Sequence, residues 1–151
     1  MRNPISGSGK KVIMKTDAID ILIAEDDRGF RELVFEVLVG SGYHVDVAPD
    51  GASAWKLLNE RSYRLLVTDF RMPIMNGFEL VLETKKCFPH TKVIMLSGDS
   101  ASLNTTHLQE TICHDGHKVR IDLFMRKPVV FAELLNSVER VLGYSAAAER
   151  E

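Results

Sequence analysis

Five short apolar runs, each stopping on polar or charged residues, punctuate this chain: Ile19 to Ala24, Tyr43 to Ala48, Arg64 to Thr68, Thr91 to Leu96 and Ile121 to Met125. Runs of this length, rich in branched side chains, suit strands buried on both faces. Between them the apolar period changes to that of a helix. After Asp27, a plausible cap, Phe30, Leu33, Val34, Val37 and Leu38 recur at three- and four-residue spacings until Gly40 or Gly42 stops them. Helices are also predicted over 52–61, 78–88 and 130–142, bounded by Asp50-Gly51, Pro89 and Gly143. The polar segment Ser100 to Arg120 carries Leu103, Leu108 and Ile112, read as marking a further helix, then a loop at His114-Asp115-Gly116-His117. Such alternation with short links requires a parallel sheet, right-handed crossovers and helices on both faces. A chain of 151 residues holds one such domain, here 18–143, between a flexible leader at 1–17 and a frayed tail at 144–151.

Composition removes several function classes. A net charge of −2 offers no basic field for nucleic acid. No apolar run approaches the ~18 residues of a membrane span, and the Gly/Ser/Lys-rich start has no secretory core. Cys87 and Cys113 read as reduced thiols, which points to the cytoplasm. Gly7-Ser8-Gly9-Lys10 is not a phosphate-binding loop, because no strand precedes it and Lys11 stands where Ser or Thr is needed. Cys113-His114-x-x-His117 and His107 have loosely metal-like spacing, but structural zinc needs four ligands in a recognisable frame, so an exposed polar loop is the expectation.

In a parallel sheet all strand C-termini share one rim, where ligands bind. Strand one delivers Glu25 and Asp26, strand three Asp69, strand four Ser97 and strand five Lys127. Three acids, a hydroxyl and an ammonium favour phosphoryl chemistry. Mg²⁺ (or Mn²⁺) takes oxygen ligands. Asp26 and Asp69 could ligate it directly, Glu25 through water, and the Arg71 backbone carbonyl could complete the protein's share. Asp69 would then be the nucleophile that forms an acyl phosphate. The cation and Lys127 would neutralise the transferred group, and Ser97 could donate a hydrogen bond to it.

With these motifs — Ile21-Leu22-Ile23-Ala24-Glu25-Asp26-Asp27, Thr68-Asp69-Phe70-Arg71-Met72-Pro73, Asn76-Gly77, Val93-Ile94-Met95-Leu96-Ser97-Gly98 and Lys127-Pro128 — the sequence resembles the receiver domain of two-component response regulators from about Ile19 to Gly143. The resemblance implies a flavodoxin-like sheet of order 2-1-3-4-5. It implies phosphorylation of Asp69 by a histidine kinase or phosphotransfer protein. Glu25 and Asp26 match the family's acidic pair, Ser97 its switch hydroxyl, Lys127 its lysine and Phe124 its switch aromatic. A cis Lys127-Pro128 bond is expected on the same ground. Phosphorylation would draw Ser97 inward, let Phe124 rotate, and remodel the face of helix four, strand five and helix five toward a downstream partner or a second copy of the chain. Phe124 lacks the hydroxyl of a Tyr, and thirty positions separate Ser97 from Lys127, more than the family usually has. Few residues follow Gly143, so no output domain is expected within this sequence. The competing class is an Asp-nucleophile phosphohydrolase on a related fold. That class wants its nucleophile in a D-x-D at the first strand's end, where this chain has Glu25-Asp26-Asp27-Arg28.

Overall fold

Ile21, Leu22 and Ala24 are wholly inaccessible and Ile23 nearly so, which is why β1 (Ile19–Ala24) is apolar on both faces. The computed structural model describes residues 19–98, 104–105 and 111–143. The expected leader and tail, and Leu103, His107 and Leu108, lie outside them. After β1 come α1 (Arg28–Gly40), β2 (Val45–Ala48), α2 (Gly51–Glu60), β3 (Tyr63–Asp69), α3 (Gly77–Cys87) and β4 (Lys92–Ser97). Three short strands follow, β5 (Asn104–Thr105), β6 (Thr111–His114) and β7 (His117–Arg120), and then β8 (Leu123–Arg126) and α4 (Phe131–Leu142).

Five parallel strands form one sheet of order β2-β1-β3-β4-β8. With β8 as its fifth strand, this is the expected 2-1-3-4-5 arrangement. Strand side chains alternate between faces. Ile21, Ile23, Leu65, Val67, Ile94 and Leu96 pack with Val34 and Leu38 of α1 and Leu134 and Val138 of α4. Leu22, Ala24, Leu66, Val93 and Met95 pack on the other side with Ala54 and Leu58 of α2 and Phe78, Leu80 and Val81 of α3. Asp27 and Asp50 cap α1 and α2 through the backbone amides of Phe30 and Ser53. Gly143, in the left-handed region, ends α4. The α1 stripe is narrower than its periodicity suggests: Leu33 is 50% exposed.

The segment before β8 departs from expectation. Ile112 lies on a strand, not a helix, and no helix occurs between β4 and β8 among the described residues. Instead β5, β6 and β7 make a small antiparallel sheet. Asp115 (φ 50°) and Gly116 (φ 76°) form the tight turn of the β6–β7 hairpin, where positive φ at both central residues matches the strands' twist. Ile112 and Val119, paired across it, are buried in the cluster of α2 and α3. The hairpin therefore covers sheet surface that the expected helix would have covered.

Candidate functional site

Register brings the site together. Ala24 pairs with Thr68, Asp69 with Leu96 and Ser97 with Arg126. Glu25, Asp69, Ser97 and Lys127 consequently leave the sheet at one level of one rim. Carboxylate oxygens of Glu25, Asp26 and Asp69 lie within 4.8 Å of one another, with Asp26 exposed and the other two buried. Lys127 Nζ donates to Glu25 Oε1 at 3.0 Å and sits 3.2 Å from Asp69 Oδ1. Its ammonium also lies 4.5 Å from the centroid of the Phe30 ring, a cation–π contact. The Asp27 amide donates to Glu25 Oε2, and Arg31 donates to the Glu25 carbonyl.

Burial pushes both the Asp69 and Glu25 carboxyls above their usual range. Lys127 opposes this, while Asp26 adds to it at Asp69, and Asp69 adds to it at Glu25. Burial pulls the Lys127 ammonium down, but hydrogen bonding to Glu25 and the charges of both acids outweigh it and hold the ammonium above its usual value. One ammonium among three acids leaves excess negative charge. Hard oxygen donors gathered at this spacing suit a divalent cation such as Mg²⁺, so the residues present fit the metal that the sequence implies.

The loop after β3 is built around close backbone approach. A Cβ on Gly77 would fall 2.0 Å from the Asp69 carbonyl oxygen, and one on Gly51 would fall 2.1 Å from that of Met75. Gly77 donates to the Phe70 carbonyl, and the Phe70 amide to that of Leu96. Asn76 and Glu79 form a reciprocal capping box at the start of α3. A cavity of about 380 Å³ opens beside the acids, lined by Asp26, Phe70, Arg71, Met72, Asn76 and His114. Arg71 is exposed, its guanidinium 5.7 Å from the Phe70 centroid.

Ser97 ends β4 and is buried, and its carbonyl accepts from the Lys127 amide. Phe124 is half-buried on β8, packed against the α2–α3 cluster with the Arg126 guanidinium 5.6 Å from its centroid. The Lys127-Pro128 bond is cis. The expected face of helix four, strand five and helix five is corrected in its first part: residues 111–114 and 117–120 are strands, beside β8 and α4. Among the described residues Cys113, His114 and His117 join no metal-sized group; only Glu25, Asp26 and Asp69 do. Sequence reasoning missed two contributors, Phe30 under Lys127 and His114 at the cavity. The signal for His114 was Asp115-Gly116 between two runs of strand-forming residues, a hairpin pattern.

Residues 21–139 match the family model of the response regulator receiver domain. The response regulator receiver protein CpdR of Brucella abortus is 34% identical over 81% of this chain and 95% of its own length. The transcriptional regulatory protein RprY of Bacteroides fragilis is 30% identical, and the chain spans 50% of it. NtrC of Azospirillum brasilense is 27% identical, and the chain spans 24% of it. Among solved structures, the Thermotoga maritima response regulator protein TrrA, in complex with Mg(2+)-BeF, is 28% identical with a TM-score of 0.66, covering 81% of this chain and 97% of its own. A CheY-like receiver domain protein of Methanospirillum hungatei shares the fold at a TM-score of 0.68 and 24% identity, covering 84% of this chain and 95% of its own. The chain belongs to the response regulator receiver domain family, whose members are phosphorylation-controlled signalling domains. Among the described residues no helix is long and apolar enough to cross a membrane.

Proposed function

We propose that Asp69 is the phosphoacceptor of this receiver. The observation that carries the reading is Lys127 Nζ standing between Glu25 Oε1 at 3.0 Å and Asp69 Oδ1 at 3.2 Å, within a trio of acids. An Asp69 carboxylate oxygen attacks the phosphorus of a phosphohistidine on a histidine kinase or phosphotransfer protein. The new O–P bond forms as the N–P bond breaks, and the electron pair returns to the donor imidazole. Lys127 stabilises charge on the transferred group, and Ser97, on the neighbouring strand end, donates a hydrogen bond to it. Asp26, Asp69, the Arg71 carbonyl and, through water, Glu25 would hold Mg²⁺ (or Mn²⁺), which supplies positive charge to the phosphoryl oxygens when bound. Supporting this, the TrrA relative is described with Mg(2+)-BeF.

In this reading the chain is a signalling switch, not a dedicated enzyme, and it works in the cytoplasm with a kinase or phosphotransfer protein upstream. The domain is 18–143, with leader and tail outside it. Phosphorylation shifts Ser97 and Phe124 between two packings, and the surface that changes is β8 and α4 together with the hairpin. A downstream protein, or a second copy of the chain, docks there. The test is incubation with Mg²⁺ and acetyl phosphate. One hydroxylamine-labile phosphoryl group is expected per chain, lost in Asp69→Asn and without Mg²⁺. Labelling that survives Asp69→Asn overturns the assignment, and steady turnover of unrelated phosphate esters would favour a phosphohydrolase.

A further inference from the structure

His114 has no part in the reading above, yet it stands at the mouth of the site. The Asp115-Gly116 turn returns the chain so that His114 pairs with His117. Its ring is held edge-on to Phe70 at 5.1 Å and tilted against Phe78 at 5.3 Å. Phe70 immediately follows Asp69, and Phe78 lies in the first turn of α3. Two aromatic contacts fix the ring in the cavity wall, while 27% of the side chain stays open to solvent.

Water that hydrolyses an acyl phosphate must approach phosphorus in line, from the side remote from the carboxylate oxygen. Lys127 stands 3.2 Å from Asp69 Oδ1, and the cavity lined by Asp26, Phe70 and Arg71 opens to solvent from the same rim. Among the described residues, its lining offers few groups able to take a proton. Phe70 and Met72 are apolar and Arg71 is a cation. Asn76 is committed to capping α3, and Asp26 belongs to the cation-binding trio. That leaves His114.

We propose that His114 sets the lifetime of the phosphoryl group by ordering and deprotonating the attacking water, an inference that rests on Asp69 being the phosphoacceptor. The neutral imidazole accepts a proton as the water oxygen bonds to phosphorus. The P–O bond to Asp69 breaks, and its electron pair restores the carboxylate. Inorganic phosphate leaves, and the imidazolium returns its proton to solvent. The charged and titratable groups that face the ring are Asp115, whose Oδ2 lies 3.7 Å from Nε2, Asp26 and Arg71 in the wall of the same cavity, and His117, paired with it across the hairpin.

The experiment uses the full chain, phosphorylated with acetyl phosphate and Mg²⁺ and then desalted. Loss of the acyl phosphate is followed from about pH 5.5 to 8.5, the range in which an imidazole changes charge. Wild-type decay slows as pH falls. His114→Gln, which keeps hydrogen-bonding capacity but cannot take a proton, extends the half-life about tenfold or more at neutral pH and flattens the profile. His114→Phe, which keeps the aromatic wedge, does the same. Because only a folded site is labelled, the phosphorylated fraction reports folding in each variant. Wild-type decay rates and pH profile in both variants overturn the role of His114 alone. No labelling of the wild type overturns both this inference and the phosphoacceptor reading.

Discussion

Asp69 is 8% exposed and Glu25 2% exposed, so each carboxylate gives up most of its hydration on folding. Lys127 repays part of that cost. The sign of the remainder follows from linkage. Both acids hold their proton more tightly in the folded chain than in the unfolded one. Metal-free stability therefore falls as pH rises from the ordinary carboxylate range through the raised values, and the penalty is complete above them. Asp69→Asn removes one such carboxylate. We expect it to stabilise the metal-free protein at neutral pH and to reduce the acid-side rise in stability. Urea unfolding at several pH values measures both, and a destabilised Asp69→Asn would show that Lys127 already compensates the charge. Removing Lys127 acts the other way. Its raised ammonium contributes stability that is complete below its unfolded value and is lost only as pH rises through the folded one. Asp69, Glu25 and Lys127 could be found in the sequence because buried strands end abruptly on them. His114 was signalled only by the Asp115-Gly116 turn, since its place at the cavity depends on that hairpin folding back.

The hairpin marks where element-level reading failed. Leu103, Leu108 and Ile112 offered a helix-like apolar pattern in a chain whose other links are helical. Yet Thr111-Ile112-Cys113-His114 and His117-Lys118-Val119-Arg120 flank a two-residue Asp-Gly turn, and local turn chemistry prevailed over family precedent. The central strands β1, β3 and β4 were legible because burial on both faces leaves little room for polar residues, the half-buried edge strands β2 and β8 from their short apolar runs, and the limits of all five were right to within about two residues. An exposed site and a core hairpin predict different costs for Ile112→Ala. At an exposed position the change would stay within about 0.5 kcal/mol. Ile112 is fully buried beneath α2 and α3, so a loss of about 3 kcal/mol is expected from the cavity left behind. Chemical denaturation of the variant decides between them.

At the scale of the molecule, two apolar layers hold the sheet rigid while its C-terminal rim gathers charge. α1 and α4 cover one face; α2, α3 and the hairpin cover the other. Excess negative charge at that rim suits it to a cation. A ligand at free concentration L that binds only the folded chain stabilises it by RT ln(1 + L/Kd), about 1.4 kcal/mol at ten times its dissociation constant. For a domain of this size that corresponds to a rise in Tm of roughly 3 to 5 °C. Asp26 separates this gain from the stability of the fold itself. It is exposed, so Asp26→Asn changes little in metal-free protein, but it removes a ligand from the trio. Thermal unfolding followed by circular dichroism, with and without Mg²⁺ at constant ionic strength, tests the point. The wild type should gain several degrees and Asp26→Asn almost none. An equal gain in both would mean that the ion acts as general screening salt and that the three acids do not hold it.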